Sequence, residues 1–330
     1  MPVTLRDVAR KAGVSIKTVS RVVNNQSEIS EDTRQRVQDV IDELGYRPNL
    51  IARGLVTQRS FTVGLIFPDI TNPFFPEVAR GVQDTARARD YNTLLCNSDE
   101  SQQEELRTLH SLAAQGVDGI IIFPCYHTGD NLTTFAEQYR PVISVNSRYD
   151  DPNISMILSD NYGGSKQAVE HLIGRGHRHI AMLAGLEISP LRAQRVLGFL
   201  DIMAAHGLPL PDSRLTSGLP MVDSGYERAL QLLTDDPQIT AIVAYNDLLA
   251  LGAMNACKKL GRRIPADCAI IGFDDIQLAS LVTPTLTTIR LDKYDIGRQA
   301  MIRLLEMLDN PDATYPPIHL GAELVIREST

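Results

Sequence analysis

Residues 14–24 read V-S-I-K-T-V-S-R-V-V-N, from Val14 to Asn24. Read as a helix capped by Ser15, the stretch gathers Val19, Val22 and Val23 on one side and sets Ile16, Lys17, Ser20, Arg21 and Asn24 on the other. Val14, just before the cap, is placed to staple onto Val19 one turn in. One face is built to be packed away, and the other presents hydrogen-bonding side chains to something outside the fold.

The flanks say what packs against it. Thr4 can cap a preceding helix whose apolar residues Leu5, Val8, Ala9 and Ala12 recur at helical spacing, with Asp7 at the capping-box position and Gly13 at its end. Only the turn G-V-S separates the two helices, so they must cross steeply, as a helix-turn-helix. A third helix is expected from Ser30, with Glu31 and Asp32 in its first turn, Val37, Val40, Ile41 and Leu44 on one face, and Gly45 closing it. Three short helices then share one small core, and the second has the dimensions to enter a major groove. Ile16 and Lys17, nearest its N-terminus, would face base edges, and Arg21 could hold a guanine bidentately; an ordinary solvated helix face is the alternative. After Y-R-P, Asn49 can cap L-I-A-R-G-L-V, a short helical pattern interrupted by Gly54 and marginal in water. A segment that folds only against a partner, with Leu55 as apolar wedge and Arg53 as phosphate ligand, suits a minor groove; a flexible linker is the other reading.

Charge divides the same way. Residues 1–60 carry ten Lys or Arg against seven acids, whereas the 270 that follow carry 22 against 33, so a net charge of −8 conceals a basic head on an acidic body. Such asymmetry fits a polyanion met by the head alone. At 330 residues, 43% hydrophobic and 22% charged, the chain is globular and exceeds one comfortable core. No apolar run approaches the ~20 residues of a membrane span. The first residues lack the pattern of a secretory signal, and Cys96, Cys125, Cys257 and Cys268 are scattered without metal-ligand spacing, so reduced thiols in a cytoplasmic protein are expected.

From Phe61 onward, short apolar runs alternate with amphipathic ones: T-V-G-L-I-F, N-T-L-L-C-N-S, D-G-I-I-I-F and P-V-I-S-V-N, then H-I-A-M-L-A-G, A-I-V-A-Y-N and C-A-I-I-G-F. Near-continuous apolar strands separated by helices indicate parallel sheets covered on both faces, and this length suits two lobes. The last of these strands is expected to lead into a long connection. Ligands of open α/β sheets sit beyond the carboxyl ends of the strands. The polar residues there are Asp69, Thr71 and Asn72; Ser147 and Arg148; Asp160; Asn246 and Asp247; Asp274 and Asp275; with Arg195 in or opening a later helix. Together with Phe74 and Phe75 they suit a polyhydroxylated ligand, with charged hydrogen bonds to hydroxyls and rings against an apolar sugar face. Helix capping by Asp69, Asn72, Asp160 or Asp247, and a surface position for Arg148, are the alternatives. His177 and His179 read as solvated or capping residues, and Met301, Leu304, Leu305 and Leu308 as a core or subunit-contact stripe.

V-T-L-R-D-V-A-R-K-A-G-V-S-I-K-T-V-S-R-V-V-N, S-E-D-T-R-Q-R-V and L-G-Y-R-P-N-L-I-A-R-G-L resemble the DNA-binding head and hinge helix of the LacI/GalR family of bacterial transcription regulators. In the body, T-N-P-F-F, G-V-D-G-I-I-I, A-Y-N-D-L-L-A-L-G-A, I-G-F-D-D and T-P-T-L-T-T-I-R are similar to that family's periplasmic-binding-protein-like core. The resemblance implies a helix-turn-helix domain over 1–48, a hinge over 49–60 and a two-lobed effector-binding and dimerisation domain over 61–330. It implies that Ile16 and Lys17 set operator preference, that Arg21 reads a base, and that Leu55 intercalates at the centre of a palindrome. Effector contacts fall on Asn72, Phe74, Arg148, Arg195, Asn246 and Asp274. Where sugar-responsive members often carry Asp-Arg, this chain has Ser147-Arg148, one carboxylate fewer for gripping hydroxyls.

DNA contact is therefore assigned to Thr4, Ser15, Ile16, Lys17, Thr18, Ser20, Arg21 and Asn24, and to Asn49, Ala52, Arg53 and Leu55. Effector contact is assigned to Asp69, Asn72, Phe74, Phe75, Ser147, Arg148, Asp160, Arg195, Asn246 and Asp274. No P-loop, G-x-S-x-G or H-E-x-x-H is present and no nucleophile stands beside a His at the strand ends, so neither an enzyme, a cofactor nor a metal is expected. A stand-alone solute receptor is the remaining rival, and it would need export. A homodimer on a palindromic DNA site, controlled by a sugar-like or else a purine-type effector, is the expected assembly.

Overall fold

The structure, a computed structural model, describes residues 3–23, 29–46, 59–124, 129–208 and 210–330, with backbone only at 129 and 130. The chain divides into two compact units, Met1–Ser60 and Phe61–Thr330.

In the head, α1 (Leu5–Ala12), α2 (Ile16–Val23) and α3 (Glu31–Leu44) enclose Val8, Val19, Val22, Val37, Ile41 and Tyr46. The capping box forms with aspartate in place of the commoner glutamate: Thr4 Oγ1 accepts the Asp7 N–H, and the Asp7 carboxylate takes the Thr4 N–H at 3.0 Å. The Thr4 hydroxyl, which donates to that carboxylate at 2.6 Å, and then the Thr4 N–H hold the Asp7 carboxyl below its usual range. Gly13 and Gly45 end α1 and α3 in the left-handed region, at φ 68° and 61°. Ser15 Oγ accepts the Thr18 N–H at 3.1 Å, which caps α2. Ser30 occupies the N-cap of α3 but its hydroxyl donates to Thr33 Oγ1 at 2.9 Å and takes no backbone N–H, so that cap is weaker than its sequence suggests.

The larger unit holds two six-stranded sheets. In the first lobe β1 (Thr62–Phe67), β2 (Asn92–Asn97), β3 (Gly119–Ile122), β4 (Val142–Val145) and β5 (Ile154–Ser159) lie parallel with β11 (Ile318–Leu320) in the order β11-β5-β4-β3-β1-β2. Helices α4 (Phe74–Arg87), α5 (Gln102–Ala114) and α6 (Gly129–Gln138) connect them. In the second lobe β6 (Ile180–Ala184), β7 (Leu215–Ser217), β8 (Ala241–Ala244), β9 (Ala269–Asp274) and β10 (Thr287–Arg290) are parallel, and β12 (Glu323–Val325) runs antiparallel to β10, in the order β12-β10-β9-β8-β6-β7. Helices α7 (Asn161–Gly174), α8 (Pro190–Ala205), α9 (Val222–Asp235) and α10 (Asp247–Lys259) belong to it.

The chain passes between lobes three times: after β5, after β10 into α11 (Lys293–Asp309), and between β11 and β12. The expected long connection after β9 is thus a short 3-10 turn and the strand β10. Its four residues, T-T-I-R, include one apolar side chain, too little signal to declare a strand. Helix α11 returns to the first lobe and buries Met301, Leu304 and Leu305, with Leu308 packed at the margin, so the stripe is core. His177 Nδ1 lies 3.0 Å from Thr240 Oγ1 and His179 Nδ1 3.3 Å from Arg214. Cys96, Cys257 and Cys268 are free thiols, and Cys125 lies outside the described residues.

Candidate DNA-reading helix and interlobe cleft

Helix α2 buries Val19 and Val22 and turns Ile16, 45% exposed, and Lys17 outward at its N-terminal end. Ser15 and Thr18 are joined in the cap, while Ser20 and Arg21 are half-buried along the flank. Thr4 is engaged in its capping box at the start of α1. The head's positive charge is partly answered internally, since Lys11 bonds Glu43 and Arg10 lies 3.5 Å from Asp7. Asn24, Asn49, Ala52, Arg53 and Leu55 lie outside the described residues.

Between the lobes a cleft brings together Asn72, Phe74, Phe75, Arg195, Asn246 and Asp274. Strand order explains the convergence: β1, β8 and β9 end at the same crevice, and α4 and α10 start from it. The first-lobe wall is aromatic. Phe75 stacks on Phe67 at 4.7 Å and meets the edges of Phe74 and Phe123 at 5.3 and 5.4 Å. Asn72 Oδ1 accepts the Phe74 N–H at 3.0 Å, which fixes the start of α4.

The opposite wall is charged and buried. The Arg195 guanidinium lies 3.6 Å over the Phe273 ring and 4.6 Å from that of Tyr245. It donates to Asn161 Oδ1 at 2.9 Å, to Asp274 Oδ1 at 3.2 Å and to the Tyr245 carbonyl. Burial pushes the Asp274 carboxyl up, and Arg195 and Lys293 pull it back. Asn246 caps α10 by accepting the Leu249 N–H at 3.0 Å and donates to the Pro220 carbonyl at 3.1 Å. The wall is therefore preorganised: its hydrogen bonds are made before a ligand arrives.

Other assigned residues lie elsewhere. Asp69 closes an Asx turn on the Thr71 N–H at 2.8 Å, and Asp160 caps α7 through the Gly163 N–H at 2.8 Å. Ser147 is buried beneath the strand end with an unpartnered hydroxyl, and Arg148 stands in an adjoining cavity of about 330 Å³ that meets the cleft at Asn146 and Ser189. The position that carries serine in place of the aspartate of sugar-responsive members therefore does not line the cleft.

Among the lining residues that sequence reasoning passed over are Glu100, Asn146 and Tyr245. Glu100 follows β2 in N-S-D-E-S, a strand end like those inspected, and burial, Asp69 and Glu105 push its carboxyl up. Asn146, at φ 61°, turns its Oδ1 to the Ser159 N–H at 2.8 Å. Tyr245 sat inside an apolar run with nothing to mark it.

Asp247 is a second correction of role. It was the expected cap, but it is fully buried, bonded to the Ile276 N–H at 2.8 Å and to Thr288 Oγ1 at 2.5 Å. Burial, then Asp274, push its carboxyl well above the usual range. A raised folded-state pKa means stability present below the unfolded value of 3.8 and lost as pH rises toward the folded one. Asp247→Asn keeps an oxygen for the Ile276 N–H and offers Thr288 Oγ1 an N–H donor in place of an acceptor, with no group left to ionise, so its urea midpoint is expected to fall less between pH 4 and 8 than that of the wild type; parallel curves would remove Asp247 from this titration.

The free volume of the cleft, about 70 Å³, is small beside the ~300–1,000 Å³ of most small-ligand sites, so a ligand requires the walls to part. Comparison with known proteins then decides the kinship. Residues 4–49 match the family described as bacterial regulatory proteins, lacI family, and residues 60–322 match the periplasmic binding proteins and sugar binding domain of LacI family. The chain belongs to the LacI family. It is 38% identical to catabolite control protein A of Priestia megaterium over the whole of both chains. It is 34% identical to the ribose operon repressor of Halalkalibacterium halodurans, over 99% of this chain and 97% of that one. Its fold superposes on the lac repressor dimer bound to operator and the anti-inducer ONPF with a TM-score of 0.89 and 29% identity, covering 100% of this chain and 99% of that one. As in other LacI-family regulators, a helix-turn-helix head precedes a two-lobed α/β core. No helix among the described residues is long and apolar enough to cross a membrane.

Proposed function

We propose that this chain is a cytoplasmic repressor of carbohydrate-utilisation genes, which binds a palindromic operator as a homodimer and responds to a sugar-like effector held between its lobes. The observation that carries the reading is the union, in one chain, of an outward-facing Ile16-Lys17 helix end with a cleft whose one wall is aromatic and whose other wall carries Asp274, Arg195 and Asn246. Carboxylate and amide groups suit hydroxyls, and Phe74 suits an apolar sugar face. One head supplies one half-site, and apolar side chains available for a second copy are exposed at Leu94 and Leu95 on edge strand β2 and at Leu219, Met221, Leu278 and Leu281 on the second lobe. The hinge segment 49–60, with Leu55 as its wedge and Arg53 on phosphate, completes the proposed DNA contact.

The test has two arms. In operator titrations Arg21→Ala is expected to relax preference at one position of each half-site at a cost of about 1–3 kcal/mol, whereas uniform weakening on all sequences would remove Arg21 from base reading. In a thermal-shift screen over pentoses, hexoses, nucleosides and purine bases, a ligand at about 100 times its Kd adds about 2.7 kcal/mol. A shift with a sugar supports the reading. A shift with bases alone would favour the purine-type reading, for which the rings of Phe74 and Tyr245 offer stacking surfaces.

A further inference from the structure

Helices α4 and α11 of the first lobe touch backbone to backbone. A Cβ on Gly81 would lie 2.1 Å from the Tyr294 carbonyl oxygen, and one on Gly297 would lie 2.0 Å from that of Val78. No side chain separates the two helices there, so they move as one body. Helix α4 carries Phe74 to the cleft at its N-terminus, and α11 begins with Lys293, a residue 5% exposed.

The Lys293 ammonium leaves its own lobe. It donates to the carbonyls of Asp274 and Asp275 at 3.0 and 2.9 Å, and its other partner is the Glu77 carboxylate on α4, 3.5 Å away. The turn it grips is strained: Asp274 and Asp275 sit at φ 106° and 50°. Several other groups hold that turn. Arg290 and Arg327 bond the Asp275 carboxylate at 2.7 and 2.6 Å, and Asp247 takes the Ile276 N–H. Of these groups, Lys293 alone belongs to a helix packed in the other lobe, and it does not line the cleft.

We propose that Lys293 is a positioning residue that couples the Asp274 wall of the cleft to the first lobe, through Glu77 and the locked α4–α11 pair, without touching the effector. Any displacement of the Asp274–Asp275 turn then pulls on the helix pair that presents Phe74 across the cleft, and movement of that pair pulls back, as a coupling between sites must. This rests on the cleft being the effector site. The strained φ values at Asp274 and Asp275 mark this turn as the element through which such a coupling would act.

The test is hydrogen exchange followed by mass spectrometry on the full-length protein with no ligand added, so that failure of the sugar reading leaves it untouched. In Lys293→Met, amides of residues 274–278 are expected to exchange about tenfold faster, the loss of charge-assisted bonds to two carbonyls. Lys293→Arg, which keeps donors and charge, is expected to retain most of the protection. Glu77→Gln, a change at a half-exposed side chain, is expected to speed exchange at 274–278 in the same direction although Glu77 lies in the other lobe. If Lys293→Met fails to fold, Glu77→Gln carries the test alone. Exchange changes confined to α4 and α11, with 274–278 at wild-type rates, would overturn the coupling.

Discussion

Asp274→Ala is expected to lower the stability of the two-lobed core by about 3–5 kcal/mol and to abolish the effector response while operator affinity persists. The cause is the partner left behind. Arg195 is 3% exposed, and its guanidinium sits between the rings of Phe273 and Tyr245, where removal of the carboxylate leaves a buried cation whose remaining acceptors, Asn161 and the Tyr245 carbonyl, are uncharged. Lys293 would lose part of its counter-charge but keeps Glu77 at 3.5 Å, so Arg195 is the cation left stranded. Asp274→Asn keeps an oxygen toward Arg195 and should recover part of the stability but little of the response. Urea denaturation of the core, with operator titration in parallel, reads both quantities. A fully stable Asp274→Ala protein that still responds would place the effector elsewhere in the molecule.

Val19→Asp is expected to act on the other unit alone. Val19 is fully buried at the centre of the three-helix core, where an unpaired carboxylate costs several kcal/mol. A module of some 60 residues holds little stability in reserve, so the head should unfold and specific operator binding should be lost. The core forms a separate compact unit, and its denaturation midpoint and ligand-induced thermal shift are expected to stay at wild-type values. Operator affinity within tenfold of wild type in Val19→Asp would contradict the burial assigned to this side chain.

The head was legible residue by residue because its signals are local. Thr4 and Asp7, Ser15 and Thr18, and the glycines that end α1 and α3 each interact within four positions of themselves, and the apolar spacing of α2 already says which face is hidden. The exception is Ser30, whose hydroxyl turned to Thr33, a choice between two local partners that spacing does not rank. The parallel strands were legible as apolar runs for a similar reason, since burial on both faces leaves no alternation to misread.

The cleft was legible in part. Asn72, Phe74, Phe75, Arg195, Asn246 and Asp274 were found because residues at strand ends converge in this class of sheet. Adjacent residues could not be told apart by that rule. In the pair Asn246-Asp247 the amide caps the helix and the carboxylate turns inward to Thr288, a partner 41 positions away; at Asn146-Ser147 it is the first that reaches the cleft. A side chain's direction there follows from a neighbour brought in by another strand.

The sequence by itself determined the helical head, its presented face, the α/β character of the body and the crevice to inspect, because each is set by periodicity or by contacts within a turn. Only the tertiary structure decided which strand joins which lobe, that α11 returns to the first, and that Lys293 reaches the Asp274 turn from across the cleft. Those arrangements depend on backbone approach at Gly81 and Gly297 and on hydrogen bonds between residues far apart in the chain, for which no short stretch carries a signal.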